Sequence, residues 1–350
     1  MKAIVKSKPG KGLSLVEVEE PTLQSPHDVK IKILKVSICG TDVHIYEWND
    51  WAKDRIKHFP QIDGHEFVGR VIDVGNEVKN VKSGDLVVSD SHIPCGYCHQ
   101  CRTGNMHVCQ NLKILGVDRD GVFSEYAVLP DTVLIKIDES IPLKYASVME
   151  PLGNAIFTTT AADLRGKVVL IAGAGPIGAM AIEIAKLSGA AFIIVSEPSD
   201  YRINMAKSLG ADLVINPKEK SVVEEVLKIT SGLGADVFLE MSGNENALND
   251  GIKSLKSTGV ASILGVYPES KIKFEMNTAV FKNLTIHTIT GRKMFETWYM
   301  AINWLKYHKL DLSKVVTHEF DFENFEEAFE LMASGKSGKI VLNVTKEEEV

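Results

Sequence analysis

The sequence predicts an α/β chain in two parts, a small antiparallel β-barrel and a doubly wound parallel sheet. Three observations predict it. Up to about residue 150, short alternating apolar–polar runs are punctuated by glycines. Beyond Pro151, apolar strands alternate with helical stretches. Where that second pattern begins stands a glycine turn, Gly173-Ala-Gly-Pro-Ile-Gly178.

The first part reads as strand by its period of two. Asp28 to Val36 places Val29, Ile31 and Ile33 on one face, with lysines between them. Glu66 to Val74 and Asp85 to Ser89 continue the pattern, and Gly69, Gly75 and Gly84 supply the bends that a small barrel needs.

In the second part, Lys167 to Ala172 is a continuous apolar strand, and Ile177 to Leu187 is helical. Phe192 to Ser196 is a buried strand followed by a helix from Asp200 to Leu209. Leu213–Ile215, Val237–Glu240, Ala261–Leu264 and Thr285–Ile289 are further strands. Strand and helix in alternation make a parallel sheet covered on both faces. From about Gly291 the chain returns to helices and a last strand, Lys339 to Val344, expected to pack back on the first part. The expected division is therefore residues 1–152 with 291–350, and residues 153–290. The charged tail, Lys346 to Val350, is expected to fray.

The chain of 350 residues is long enough for two cored domains. Its 45% hydrophobic and 24% charged residues suit a soluble enzyme. A net charge of -7 argues against a nucleic-acid partner. No apolar run approaches a membrane span. Met1 to Gly12 has lysines without a following apolar core, so no secretory signal is expected and the location follows as cytoplasmic.

The glycine turn fits G-x-G-x-x-G, between a strand and a helix, which is the context of a Rossmann dinucleotide site. Gly173 permits the tight turn, Gly175 lets backbone approach a pyrophosphate, and Gly178 lets helix and strand pack closely. Pro176 and Ile177 open the helix whose N-terminus faces the phosphates. Glu197 ends the next strand, 19 residues beyond Gly178. A carboxylate there binds ribose hydroxyls and repels a 2′-phosphate, so NAD is expected over NADP. Arg202 is the complication, because an arginine nearby can accept a 2′-phosphate. It is expected to line the adenosine side.

Four of the five cysteines fall in one 15-residue stretch, Cys95-x2-Cys98-x2-Cys101-x7-Cys109. Four thiolates at this spacing close a tetrahedral structural Zn²⁺ site in a lobe of about residues 92–112. An iron–sulfur cluster is the rival, but such motifs continue with a shorter gap and Cys-Pro, whereas Gln110 follows Cys109. A second, dispersed set is Cys39, His65, Glu66 and Glu150. A thiolate, an imidazole and one or two carboxylates suit an open zinc site.

Cys39-Gly-Thr-Asp-Val-His44, Gly64-His-Glu-Phe-Val-Gly69, the four-cysteine lobe and the glycine turn occur in that order. In this the chain resembles the zinc-containing medium-chain alcohol dehydrogenases from end to end. Within that family, His44-Ile-Tyr-Glu-Trp-Asn-Asp-Trp51, Glu150-Pro-Leu-Gly-Asn154 and Thr290-Gly-Arg-Lys-Met-Phe-Glu-Thr-Trp-Tyr299 are similar to the branch that oxidises L-threonine. The resemblance implies a GroES-like β-barrel catalytic domain plus a Rossmann domain. It implies zinc-dependent oxidation of the L-threonine 3-hydroxyl to 2-amino-3-oxobutanoate, with hydride transfer to NAD+, by a homotetramer. A polyol or sugar dehydrogenase of the same family is one alternative, and a non-catalytic NAD- and zinc-binding protein is another.

Carried over by position, Cys39 and His65 are catalytic zinc ligands, Glu66 is a third, and Glu150 is a ligand or near neighbour. Which carboxylate binds at rest is open. Asp42 either holds the His65 ring or caps a turn. Thr41 and His44 form a proton path, with histidine suited to its end by its pKa. The resemblance adds Leu264, Gly265, Val266, Ile289 and Thr290 to the cofactor contacts. Arg292 and His92 are candidates for the substrate, Arg292 because its fork matches a carboxylate. Trp48, Trp51, Trp298 and Tyr299 either wall the site or pack in the core.

Overall fold

A computed structural model describes residues 1–269 and 271–345; the expected frayed tail lies outside the described residues. The chain divides into two compact units. One comprises Met1–Pro151, Met294–Tyr307 and the chain from Val316 onward; the other comprises Leu152–Lys293 and His308–Val315.

The first unit is built on β1 (Lys2–Lys6), β2 (Ser14–Glu17), β3 (Asp28–Ser37), β4 (Gln61–Ile62), β5 (Phe67–Val74) and β6 (Leu86–Ser89). To these it adds β7 (His92–Ile93), β8 (Lys113–Ile114), β9 (Tyr126–Pro130) and β10 (Leu134–Lys136). Its largest sheet runs β10-β6-β5-β3 and continues through two late strands, Lys339–Asn343 and Val316–Asp321, while β9 pairs with β3 as well. β3 therefore stands at the centre. Its alternation puts Val29, Ile31 and Ile33 into a core shared with Val71, Val87 and Leu129. Register shifts between Lys30 and Ile31 and between Ile33 and Lys35 mark irregularities in its pairing with β5, which bend the strand as a barrel wall requires.

That pairing sets up the site. Val36 faces Phe67, and the Ser37 N–H donates to the Glu66 carbonyl at 3.0 Å. On the other side, Ser37 faces Val341 of the late strand, and the Ile38 N–H donates to the Ile340 carbonyl at 3.0 Å. Three segments distant in sequence thus end side by side, one carrying Cys39, one His65 and Glu66, and one Lys339.

The second unit holds β11 (Val168–Ala172), β12 (Phe192–Ser196), β13 (Leu213–Ile215), β14 (Ala235–Glu240), β15 (Leu255–Ile263) and β16 (Thr285–Thr288). Their order is β13-β12-β11-β14-β15-β16, with every pair parallel. Covered on both faces, β11, β12 and β14 are near-continuous apolar runs, as such strands must be. The chain winds outward from β11 to β13 and then crosses back to β14, so the order reverses between β11 and β14. The helix Pro176–Leu187 follows β11 directly. A Cβ on Gly178 would lie 2.0 Å from the Gly173 carbonyl oxygen, which only a glycine tolerates.

Among the described residues, no helix is long and apolar enough to cross a membrane.

Candidate active site

Cys39 is the N-cap of the helix Gly40–Glu47, where its sulfur accepts from the Asp42 N–H. Asp42 returns the bond, its Oδ2 accepting from the Cys39 N–H at 2.7 Å. The other Asp42 oxygen stands 3.3 Å from His65 Nδ1. One Asp42 oxygen thus caps the turn, and the other lies beside the His65 ring. Ligand atoms of Cys39, His65 and Glu66 all lie within 4.8 Å of one another. Burial opposes a charge on His65, but Asp42 and Cys39 outweigh it and hold the imidazole pKa well above its ordinary value. The pocket therefore favours a cation.

Glu66 is fully buried, and so is the lysine beside it, with relative exposures of 0% and 2%. Lys339 Nζ and Ser37 Oγ both donate to Glu66 Oε2. Lys339 also donates to the Ile38 carbonyl at 2.6 Å. Oε1 is buried with no hydrogen-bond partner among the described residues. A buried carboxylate with one bare oxygen, clustered with a thiol and an imidazole, fits a divalent metal, which would satisfy that oxygen. Burial raises the Glu66 pKa, Lys339 lowers it, and Glu150 raises it again.

Glu150 is thus near enough to be felt but falls outside the three-residue cluster. It is buried, and its Oε1 accepts from Ser91 Oγ at 2.7 Å. Thr41 is half-buried in the first turn of the helix. His44, one turn on, faces solvent, and its Nδ1 is 2.9 Å from the Asn49 amide nitrogen. Desolvation by its surroundings lowers the pKa of its ring.

The four lobe cysteines also converge within 4.8 Å. Cys98 Sγ is 3.5 Å from Cys101 Sγ and 3.7 Å from Cys109 Sγ. These are close to the edges of a tetrahedron with metal–sulfur bonds of about 2.3 Å. Backbone N–H groups of Cys95 and Asn111 donate to Cys109 Sγ at 3.3 Å each. The Cys101 N–H holds the Cys98 thiol below its ordinary pKa, against the opposing effect of burial. Such donors favour thiolates, the form that binds metal.

In the second unit, a cavity of about 720 Å³ is lined by Gly173, Gly175, Glu197, Arg202, Ser242 and their neighbours. No side chain caps the helix that opens at Gly175, so its N–H groups are open to an anion. Buried Glu197 accepts from the Ala174 N–H at 2.7 Å and from the Ser199 N–H at 3.0 Å. A carboxylate has about four acceptor positions, so room remains for ribose hydroxyls. Arg202 flanks the turn, its Nη1 lying 3.8 Å from where a Gly175 Cβ would be. Leu264, Gly265 and Val266 follow β15, and Ile289 and Thr290 follow β16. The Ile289 N–H donates to the Ile263 carbonyl at 2.8 Å.

Of the substrate candidates, His92 is buried, and its N–H donates to Asp90 Oδ1 at 2.9 Å. Arg292 is buried within the second unit, with Nη1 donating to Asn154 Oδ1 at 2.9 Å, and its stem lies where a Gly153 Cβ would be. Trp298 resolves as core: it is buried and donates to Asp90 Oδ2 at 2.8 Å. Tyr299 is exposed. Sequence reasoning missed Ser37, Asp90 and Lys339. A lysine heading the apolar run Lys339-Ile-Val-Leu is the single local hint, and nothing local pairs it with Glu66.

Residues 25–139 match the alcohol dehydrogenase GroES-like domain, and residues 176–307 match the zinc-binding dehydrogenase family. Over 343 residues the chain is 53% identical to an L-threonine 3-dehydrogenase of Pyrococcus horikoshii, covering 97% of this chain and 98% of that one. A relative of the same name from Pyrococcus abyssi is 52% identical over the same shares of each chain. Among solved structures, the alcohol dehydrogenase TADH from Thermus sp. ATN1 superposes with a TM-score of 0.91 at 28% identity, covering 99% of this chain and 100% of that one. With its donor clusters, its glycine turn and these relatives, the chain belongs to the zinc-binding, medium-chain alcohol dehydrogenases.

Proposed function

We propose that this chain oxidises the 3-hydroxyl of L-threonine to 2-amino-3-oxobutanoate with NAD+ as hydride acceptor, a step of threonine breakdown. The observation that carries it is the buried Glu66 carboxylate, one oxygen bare, clustered with Cys39 and His65, in a chain 53% identical to an L-threonine 3-dehydrogenase over nearly its whole length.

Cys39, His65 and Glu66 would hold a catalytic zinc, with Glu150 as a neighbouring carboxylate able to exchange with it. When bound there, Zn²⁺ supplies Lewis acidity to the substrate hydroxyl. Asp42 fixes the His65 ring, as outer partners of metal ligands do. Cys95, Cys98, Cys101 and Cys109 would hold a second, structural zinc. Gly173, Gly175 and the helix start at Pro176 and Ile177 take the pyrophosphate, and Gly178 keeps that helix against its strand. Glu197 takes the adenosine ribose, with Arg202 beside it. Leu264, Gly265, Val266, Ile289 and Thr290 border the other half of the dinucleotide. NAD+ bound there supplies the hydride acceptor. His92 and Arg292 are the candidates for the substrate carboxylate and ammonium surroundings.

The proton leaves through Thr41 and His44. The lowered pKa of His44 keeps its ring neutral, and so able to accept a proton, further into the acid range than an ordinary histidine. His44→Ala is expected to slow oxidation by roughly 10²-fold near neutrality and less at alkaline pH, where hydroxide replaces the lost base. The check is kcat/KM against pH; an unchanged profile removes His44 from the path.

Chains of this family reading are inferred to form a homotetramer in the cytoplasm. β16 is the outer strand of its sheet. Ile286 on that strand and Val280 and Phe281 in the helix Met276–Phe281 before it are exposed, as an association surface would be. Free cysteines gathered for metal suit a reducing compartment.

The test is NADH formation with L-threonine or sorbitol, with NAD+ or NADP+, before and after a strong chelator. Turnover of threonine with NAD+, lost on chelation and restored by zinc, is expected. Oxidation of sorbitol but not threonine would decide for a polyol dehydrogenase. Metal analysis is expected to find about two zincs per chain, as one open and one closed site require.

A further inference from the structure

Glu240 ends β14 and is completely buried, yet nothing in the chemistry above uses it. Its Oε1 accepts from the N–H groups of Ser242 at 2.8 Å and Gly243 at 3.0 Å, and from Ser242 Oγ at 2.5 Å. Its Oε2 accepts from the Tyr267 hydroxyl at 3.1 Å. Its main-chain carbonyl accepts from the Leu264 N–H at 3.0 Å and the Gly265 N–H at 3.3 Å. One residue therefore ties together two turns, residues 241–244 after β14 and residues 264–267 after β15.

The two turns meet glycine against glycine. A Cβ on Gly265 would lie 2.2 Å from Glu240 Oε2 and 2.4 Å from the Gly243 nitrogen. A Cβ on Gly243 would lie 2.4 Å from the Val266 carbonyl oxygen. The close approach leaves Val266 standing exposed on the rim.

Where that rim stands follows from the strand order. A dinucleotide spans the crevice where the order reverses, here between β11 and β14. Glu197 directly follows β12 and takes the adenosine ribose on that side. The nicotinamide half must then extend over the ends of β14, β15 and β16, across the turns that Glu240 fastens.

We propose that Glu240 is a positioning residue for the nicotinamide half of the cofactor, an internal carboxylate that fixes both turns before binding. It touches no cofactor atom. Ordering that rim at folding removes an entropy cost otherwise met at binding. A carboxylate suits the task because its two oxygens accept all four donors. The proposal rests on the NAD+ reading above.

The test is calorimetric binding of NADH and of ADP-ribose, which lacks the nicotinamide, to Glu240→Leu, Glu240→Gln and Tyr267→Phe. The zinc-loaded full chain is used throughout. Glu240→Leu is expected to weaken NADH at least about tenfold and Tyr267→Phe about threefold, with ADP-ribose within about twofold of the parent. Glu240→Gln keeps an acceptor for the 241–244 turn and a donor for the Tyr267 oxygen, so it is expected to restore most of the NADH affinity. Tyr267→Phe removes a single hydroxyl and keeps the test open if Glu240→Leu does not fold. Equal weakening of both ligands, or no weakening of NADH in Tyr267→Phe, would overturn the proposal. If the parent chain binds neither ligand, the dinucleotide reading itself is wrong and the proposal falls with it. If the parent binds both and only the variants behave unexpectedly, that reading stands and the role of Glu240 alone fails.

Discussion

Cys39→Ser is expected to abolish turnover while leaving NADH binding and the fold intact. Serine is among the best N-caps, so the helix Gly40–Glu47 keeps an acceptor for the Asp42 N–H that sulfur accepts now. What is lost is a thiolate, the softest and most strongly zinc-seeking donor of the cluster. The remaining imidazole and carboxylate hold a divalent ion poorly, and the loss in kcat is expected to be roughly 10³-fold or more. Metal analysis should find about one zinc fewer per chain, with the four-cysteine lobe still loaded. The glycine turn and Glu197 belong to the other unit, so the dissociation constant of NADH is expected to stay within about twofold. Retained turnover would end the metal assignment, and loss of NADH binding together with turnover would point to general damage.

The second large effect is expected from Lys339→Met, which keeps the length of the stem and deletes the charge. Lys339 and Glu66 are buried together, and a carboxylate there is stranded without its cation. A buried pair gains little over a hydrophobic pair, because both charges were taken from water. Removing one member is different, and costs about 3–5 kcal/mol. Here the Ile38 carbonyl loses its 2.6 Å donor as well. Ser37 stays on Glu66 Oε2 and recovers part of the loss. The urea midpoint of the chelator-treated chain, in which no metal shares the Glu66 charge, is the measurement, with an unchanged slope showing that stability alone has moved. Lys339→Arg retains the charge and is expected to lose less. An unchanged midpoint in Lys339→Met would mean that Glu66 is neutral or otherwise satisfied. Activity should fall too, since Lys339 and Ser37 hold Oε2 and so fix the carboxylate that clusters with Cys39 and His65.

Much of the fold was legible because its signals are local. The apolar runs at β11, β12 and β13, the glycine turn and the helix after it follow from the two- and 3.6-residue periods and from steric demands at Gly173 and Gly178. The same holds for the four-cysteine lobe, whose cysteines are held near one another by a short loop whatever the rest of the chain does. The open cluster was harder. Cys39 and His65 were identified by resemblance to a family, since their spacing carries no geometric rule. Trp298 stood equally well as site wall or core, and its bond to Asp90, 208 residues away, makes it core.

By itself, then, the sequence determined which atoms are available: one set of four thiols, one thiol with an imidazole and carboxylates, a glycine turn between strand and helix, and an acid after the next strand. Only the tertiary structure decided what each atom is left free to do. Lys339 reaches Glu66 across 273 residues because β3 pairs with β5 on one edge and with the last strand on the other. Glu240 binds two turns because β14 and β15 end side by side. Such pairings are set by strand register and burial, which sum contributions from the whole chain, so no short window of residues contains them.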